Sequence, residues 1–320
     1  MKSSRSRSII LSIITLGLIA AFLYYLYLNA DKYLDLLKIS TSRVMFLFFL
    51  SLVFPLISGV INTYLFRGLG AKLPYRDGFF ITAASTLANQ LPISGGIVSK
   101  GFYLKRKYNL SYTKFFSATA ALFLCFIVTN GLVGMAILLF WIFFKNEVVP
   151  PVLLIGFTLM VSGLFVFWLP IDRIKVPDRI YKRIHQAIEG WMLISRNPAL
   201  LMKLLGLQSV LLVLLAIRYW LAFHMLSQNV TFGEVMLFST ASILTQLVSI
   251  APGGLGVREA IVGAVASALG FDTGASVVAV GLDRLVSTFT ILLIGGISIV
   301  ILGKQISDLS VNTVEQKELT

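Results

Sequence analysis

Pro252-Gly253-Gly254-Leu255-Gly256-Val257-Arg258-Glu259-Ala260 lies between two apolar segments, Glu234–Ala251 and Ala260–Gly270. The proline removes a backbone donor and ends the preceding helix, while the glycines permit positive φ and close approach of another backbone or a ligand. A new helix can start near Val257, with Arg258 and Glu259 in its first turn. Neither flanking arm reaches the ~20 apolar residues needed to cross a ~30 Å hydrocarbon core. The stretch therefore reads as the tip of a broken, re-entrant helical hairpin inside a membrane. Irregular backbone and charge at that depth are tolerated only within protein or beside a polar cavity, which makes the tip the first candidate for a functional site.

The composition supports a membrane setting. Of 320 residues, 57% are hydrophobic and 13% charged, and mean hydropathy is +0.89. A soluble domain has no use for so much apolar surface, and the alternating ~10-residue strands of a membrane barrel are absent. The fold class is an all-α polytopic integral membrane protein. The single cysteine, Cys125, excludes a disulfide within the chain and reads as a small buried apolar side chain. Two histidines, His185 and His224, stand far apart in sequence, so no metal-ligand spacing exists and neither metal nor cofactor is expected.

A net charge of +13 raises the question of nucleic acid, but its distribution argues against that partner. Twenty of 27 Lys and Arg fall in segments 2–7, 67–76, 100–114, 173–203 and 304–317, which alternate onto one side of the membrane. Lys32, Lys38, Arg43 and Lys145 fall on the other side, and Arg218, Arg258 and Arg284 within it. This positive-inside pattern predicts a multi-pass protein of the cytoplasmic (inner) membrane with both termini in the cytoplasm. The same charge attracts anionic lipid headgroups on that leaflet.

Six full spans are expected, at 9–28, 44–66, 115–144, 150–170, about 200–227 and 274–302. Residues 9–28 are too long for a signal-peptide core and lack a small-x-small cleavage site, so they read as a retained span. Residues 178–196 place Ile180, Tyr181, Ile184, Ile188, Trp191 and Met192 on one helical face and Arg179, Lys182, Arg183 and Gln186 opposite. They read as an interfacial amphipathic elbow. The organisation is thus one transmembrane domain, 1–303, with a first half about 44–145, the elbow, and a second half about 200–303; residues 304–320 form a polar tail.

A second interrupted segment precedes the first. Asp77–Leu91 and Ile97–Tyr108 flank Pro92-Ile93-Ser94-Gly95-Gly96. The pair Gly95-Gly96 maps onto Gly253-Gly254 at an offset of 158, and the same offset pairs Lys100 with Arg258; Gln90 maps onto Gln246 at 156. Three crossings lie between the two segments, so they are expected to enter from opposite faces, as the halves of inverted-repeat transporters do. Helix N-termini at Ile97 and Val257 would then aim unpaired N–H groups at a shared cavity suited to an anion, and a lipid phosphate is the natural candidate. Arg258, Glu259, Asp283 and Arg284 sum to zero charge. The alternative is that the glycines serve tight helix packing and these charges form buried salt bridges. Neighbours on a helix do not face one another, so cross-pairs such as Arg258–Asp283 and Glu259–Arg284 are then expected rather than neighbouring ones. The candidate substrate-binding residues are Gly95, Gly96, Lys100, Gly253, Gly254, Arg258, Glu259, Asp283 and Arg284, with Gln90 and Gln246 as supporting interhelical hydrogen-bonders.

The run PGGLGVREA, with LPISGGIVSKGFYL before it and LDRLVS after it, resembles the membrane domain of the lysylphosphatidylglycerol synthase family, also called flippase-like domains, from about residue 8 to 302. The resemblance implies a polytopic membrane protein handling polar lipids. Relatives often carry a cytoplasmic catalytic domain after the membrane region. The chain ends at Thr320, so aminoacyl transfer is not expected of it and a stand-alone member is. Where relatives have a Glu-Arg type pair after the first hairpin, this chain reads Cys125-Phe126-Ile127. No nucleophile elbow, Walker loop, zincin or kinase motif is present, so no enzymatic activity is expected. Three functions fit: a translocase for a phosphate-bearing lipid, a non-transporting scaffold that binds lipid or recruits a separate lipid-modifying enzyme, and a small-anion or solute transporter.

Overall fold

The computed structural model describes residues 40–90, 95–162, 191–192, 194–246 and 256–318. These residues form α-helices α1 (Thr41–Gly68), α2 (Tyr75–Ala88), α3 (Gly95–Tyr108), α4 (Tyr112–Phe140), α5 (Pro151–Ser162), α6 (Pro198–Met225), α7 (Phe232–Ser242), α8 (Val257–Ala268) and α9 (Thr273–Glu318). Their starts follow local chemistry. Asn197 Oδ1 accepts from Leu200 N at 3.0 Å, Asp272 Oδ1 from Ala275 N at 2.7 Å, and Ser111 Oγ from Lys114 N at 3.3 Å. Each side chain satisfies an amide that the helix leaves unpaired. Pro151 and Pro198 occupy first-turn positions, where a missing N–H costs nothing.

Four helices among the described residues are long and apolar enough to cross a membrane: Thr41–Gly68, Tyr112–Lys145 (α4 and the π-helical turn that continues it), Pro198–Met225 and Thr273–Gln305. At 1.5 Å per residue, each exceeds the ~30 Å core. They coincide with the spans expected at 44–66, 115–144, 200–227 and 274–302. The expected span at 9–28, most of the elbow at 178–196, and the latter part of 150–170 lie outside the described residues. The last helix runs on to Glu318, through the segment expected as a polar tail. Residues 304–318 contain no glycine or proline to stop it.

The chain divides into two compact units. One comprises residues 52–125, 167–208 and 288–320 and contains α2 and α3. These helices are antiparallel: Asp77 at the start of α2 meets Lys107 at the end of α3, and Gly96 at the start of α3 meets Asn89 just after α2. At 14 residues each, they span roughly 21 Å, less than a bilayer core. A Cβ on Gly59 of α1 would stand 2.8 Å from Phe79 Cα, and one on Gly78 of α2 would run into Thr63. Backbones therefore approach closely at this crossing, as small residues allow between membrane helices. Gly295 of α9 gives the same closeness to Leu87, whose Cβ an added methyl would meet at 2.7 Å.

The other unit comprises residues 1–51, 126–166 and 209–287, and contains α7 and α8. Thr231 caps α7 in a reciprocal box with Glu234, Thr231 N donating to Oε2 at 2.6 Å. The first arm, expected to run from Glu234, starts at Phe232 and tightens at Ile243–Gln246 into a 3₁₀ turn. The hydroxyls of Thr240, Ser242 and Thr245 donate to carbonyls three residues back, which satisfies these polar groups inside apolar packing. Helix α8 opens at Gly256, whose φ of +79° favours glycine. Phe238 stacks on Phe223 at 5.2 Å and meets Phe271 edge-on at 6.0 Å.

Candidate functional site

The second unit gathers five charged side chains from three helices, four of them buried: Arg218 on α6, Arg258 and Glu259 on α8, and Asp283 and Arg284 on α9. Asp283 is 0% exposed, Arg218 3%, Glu259 5% and Arg284 7%; Arg258 is half-buried. Arg218 grips one carboxylate oxygen of Asp283 with two nitrogens: Nε and Nη2 each lie 2.8 Å from Oδ1. Arg284 Nη1 donates to both Oε1 and Oε2 of Glu259 at 3.1 Å.

The expected Glu259–Arg284 pair is present. The expected Arg258–Asp283 pair is corrected, because the partner that holds Asp283 is Arg218. Asp283 and Arg284 are adjacent on α9 and point about 100° apart, so one can meet α8 while the other meets a different helix. Arg218 and Tyr219 were not among the candidate residues. Their clue was a count: three intramembrane arginines against two carboxylates leave one cation over.

That surplus falls on Arg258. It stands in the electrostatic field of Tyr219, Asp283 and Glu259, yet among the described residues it forms no ion pair. With both carboxylates engaged by other arginines, the cluster carries one net positive charge. Asp283 Oδ2 and Tyr219 Oη are buried without a hydrogen bond of good geometry among the described residues, although Arg258 and Ser242 both act on the Tyr219 hydroxyl. Groups of this kind normally find partners inside proteins.

Lys100, Gly95 and Gly96 belong to the other unit. Lys100 Nζ donates to Asn62 Oδ1 and lies 5.4 Å from the Phe66 ring centre. Asn62 in turn donates to Thr82 Oγ1 at 3.1 Å. Helix α3 begins at Gly95 rather than Ile97, and the Gly96 N–H is taken by Asn89 Oδ1 at 3.1 Å. A Cβ on Gly96 would collide with the Ser85 carbonyl and the Asn89 side chain. Gln90 is half-buried beyond the end of α2, its N–H bonded to the Leu87 carbonyl at 2.9 Å. Gln246 is described by its backbone alone, and Gly253 and Gly254 lie outside the described residues. No group of three His, Cys, Asp or Glu suited to a metal occurs among the described residues.

At the open ends of α2 and α3, Lys107 Nζ lies 2.6 Å from Asp77 Oδ2, 2.7 Å from Gln305 Oε1 and 3.1 Å from Tyr103 Oη, and Tyr108 Oη donates to the same Asp77 oxygen. Burial alone would raise the Asp77 carboxyl, but hydrogen bonds from Lys107 and Tyr108 outweigh it and hold the pKa below the ordinary value. Burial would likewise lower Lys107, and its bonds to Asp77 and Tyr103 reverse the direction. This knot ties both short helices to α9.

Long apolar helices, shorter ones and a buried charge cluster define a multi-pass α-helical membrane protein. The family model described as the lysylphosphatidylglycerol synthase TM region matches residues 9–295, and the chain belongs to that family. It is also similar to a UPF0104 membrane protein of Pyrococcus horikoshii, 27% identical over 123 residues. That match covers 38% of this chain and 37% of the relative's length. No solved structure matches the chain.

Proposed function

We propose that this protein binds a phosphate-bearing lipid headgroup and passes it across the cytoplasmic membrane, with Arg258 as the cation that receives the phosphate. The observation that carries this reading is the charge surplus. Arg218 is held by Asp283 and Arg284 by Glu259, so both carboxylates are spent and Arg258 stays cationic in an apolar unit. An arginine at membrane depth costs ~2.5–3.5 kcal/mol even on the forgiving insertion scale. A phosphate offsets that cost through charge-assisted, two-pronged hydrogen bonds. The paired residues hold the cluster's geometry, and each short helix pair enters the bilayer without crossing it. Membership of a family named for a phospholipid-modifying synthase supports a lipid substrate.

The test is headgroup translocation in reconstituted vesicles. Arg258→Ala abolishes it while the protein remains monodisperse; unchanged translocation rejects the assignment. Rapid flux of small anions independent of headgroup would instead identify a solute transporter.

A further inference from the structure

A second cationic site lies outside this cluster, in the turn between α1 and α2. Arg67, Gly70, Ala71, Lys72 and Pro74, all exposed except Ala71, line a shallow, open pocket of about 440 Å³. The turn is built by Gly70, at φ +92°, with Gly70 N bonded to the Arg67 carbonyl at 2.9 Å and Ala71 N to that of Phe66 at 3.0 Å. The Phe66 and Arg67 carbonyls at the end of α1 are thereby satisfied and do not compete for the pocket's cations.

Arg67 is held in place on two sides. Its Nε donates to the Leu73 carbonyl at 2.6 Å, and its guanidinium carbon lies 4.3 Å from the Tyr75 ring centre. Among the described residues neither terminal nitrogen has a protein acceptor. Lys72 is exposed beside it. Residues 52–125 carry eight lysines and arginines against one carboxylate, Asp77, and Lys107 occupies that carboxylate. Among the described residues no acid pairs with Arg67 or Lys72.

The place in the fold selects the ligand. The pocket follows directly on Gly68, the end of a 28-residue apolar helix, which is headgroup depth. Tyr64 and Tyr75 meet edge-on at 5.9 Å there, and Lys203 lies 5.2 Å from the Tyr64 ring. Tyrosines and lysines at a helix end are the residues of a membrane interface.

We infer that this turn is a binding site for the phosphate of an anionic membrane lipid, with Arg67 clamping the phosphate oxygens and Lys72 adding charge. A phosphate could also come from a soluble molecule, so the test separates the two sources. Native mass spectrometry of the detergent-purified protein would titrate phosphatidylglycerol, phosphatidylcholine and inorganic phosphate. The wild type retains phosphatidylglycerol over phosphatidylcholine. Arg67→Gln with Lys72→Gln weakens phosphatidylglycerol retention about tenfold or more, the scale of losing a charge-assisted hydrogen bond. A charge-matched control, Arg106→Gln with Lys114→Gln, keeps the preference. Equal retention of both lipids, an unchanged Arg67/Lys72 variant, equal loss in the control, or capture of inorganic phosphate in place of lipid each overturns the inference. Translocation by the Arg258 variant does not enter this measurement, so the two assignments fail separately.

Discussion

A single nitrogen of Arg284 bonds both carboxylate oxygens of Glu259 at 3.1 Å, across two helices and 25 residues of sequence, with both side chains nearly buried. Removing one member leaves the other buried without its partner. Glu259→Gln and Arg284→Gln are each expected to destabilise the protein by roughly 3–5 kcal/mol. The double variant should lose clearly less than the sum of the two. Thermal melting of the four proteins in detergent forms the cycle, and strict additivity would contradict the pair.

Tyr219 is fully buried, and its hydroxyl makes no hydrogen bond of good geometry among the described residues, although Arg258 and Ser242 act on it. Tyr219→Phe should therefore leave the melting temperature unchanged or raise it, since an unsatisfied buried hydroxyl costs free energy. A loss of about 1 kcal/mol or more would show that the hydroxyl is bonded.

Gly95 and Gly96 stand side by side but face different surroundings. A methyl on Gly96 would strike the Ser85 carbonyl and Asn89, whereas on Gly95 the nearest atom is the Ala88 oxygen at 3.7 Å, ordinary contact. Gly96→Ala should cost about 1–3 kcal/mol through overpacking. Gly95→Ala should be neutral or stabilising by up to ~1 kcal/mol through helix propensity. Monodisperse yield and melting temperature read both. Equal outcomes would show that α2 and α3 do not approach as described.

The Asp77–Lys107 bond gives stability a pH window. Asp77 has a depressed pKa, so its contribution is present above the unfolded carboxylate value of ~3.9 and is lost as pH falls through the folded value. Lys107 has a raised pKa, so its contribution is complete below ~10.4 and is lost as pH rises through the folded value. The stability difference between wild type and Asp77→Asn should be flat between about pH 5 and 9 and shrink outside it. A difference that changes steadily from pH 5 to 9 would contradict the bond.

Four spans were legible because sustained hydrophobicity of about 20 residues has one explanation in a chain of this composition. The start of α8 at Val257 was legible from the glycine just before it, and Gly256 takes the positive φ. Helix α7 begins earlier than its apolar pattern suggests, yet Thr231-Phe232-Gly233-Glu234 carries the capping-box spacing that sets the start. The partner of Asp283 was not legible. Arg218 and Asp283 are 65 residues apart, and pairing at that range is decided by which helix faces pack, not by local pattern. The knot of Asp77, Lys107 and Gln305 escaped for the same reason, since Gln305 lies 198 residues from Lys107.

Among the described residues Arg258 is the cluster's one arginine without an ion pair, and we propose that its guanidinium receives a lipid phosphate. A density map of the protein purified with native lipid tests it most directly. The account predicts headgroup density within hydrogen-bonding distance of Arg258, with Arg218 still on Asp283 and Arg284 still on Glu259. A map showing Arg258 bonded to a protein carboxylate, or turned to acyl chains with no headgroup beside it, would contradict it.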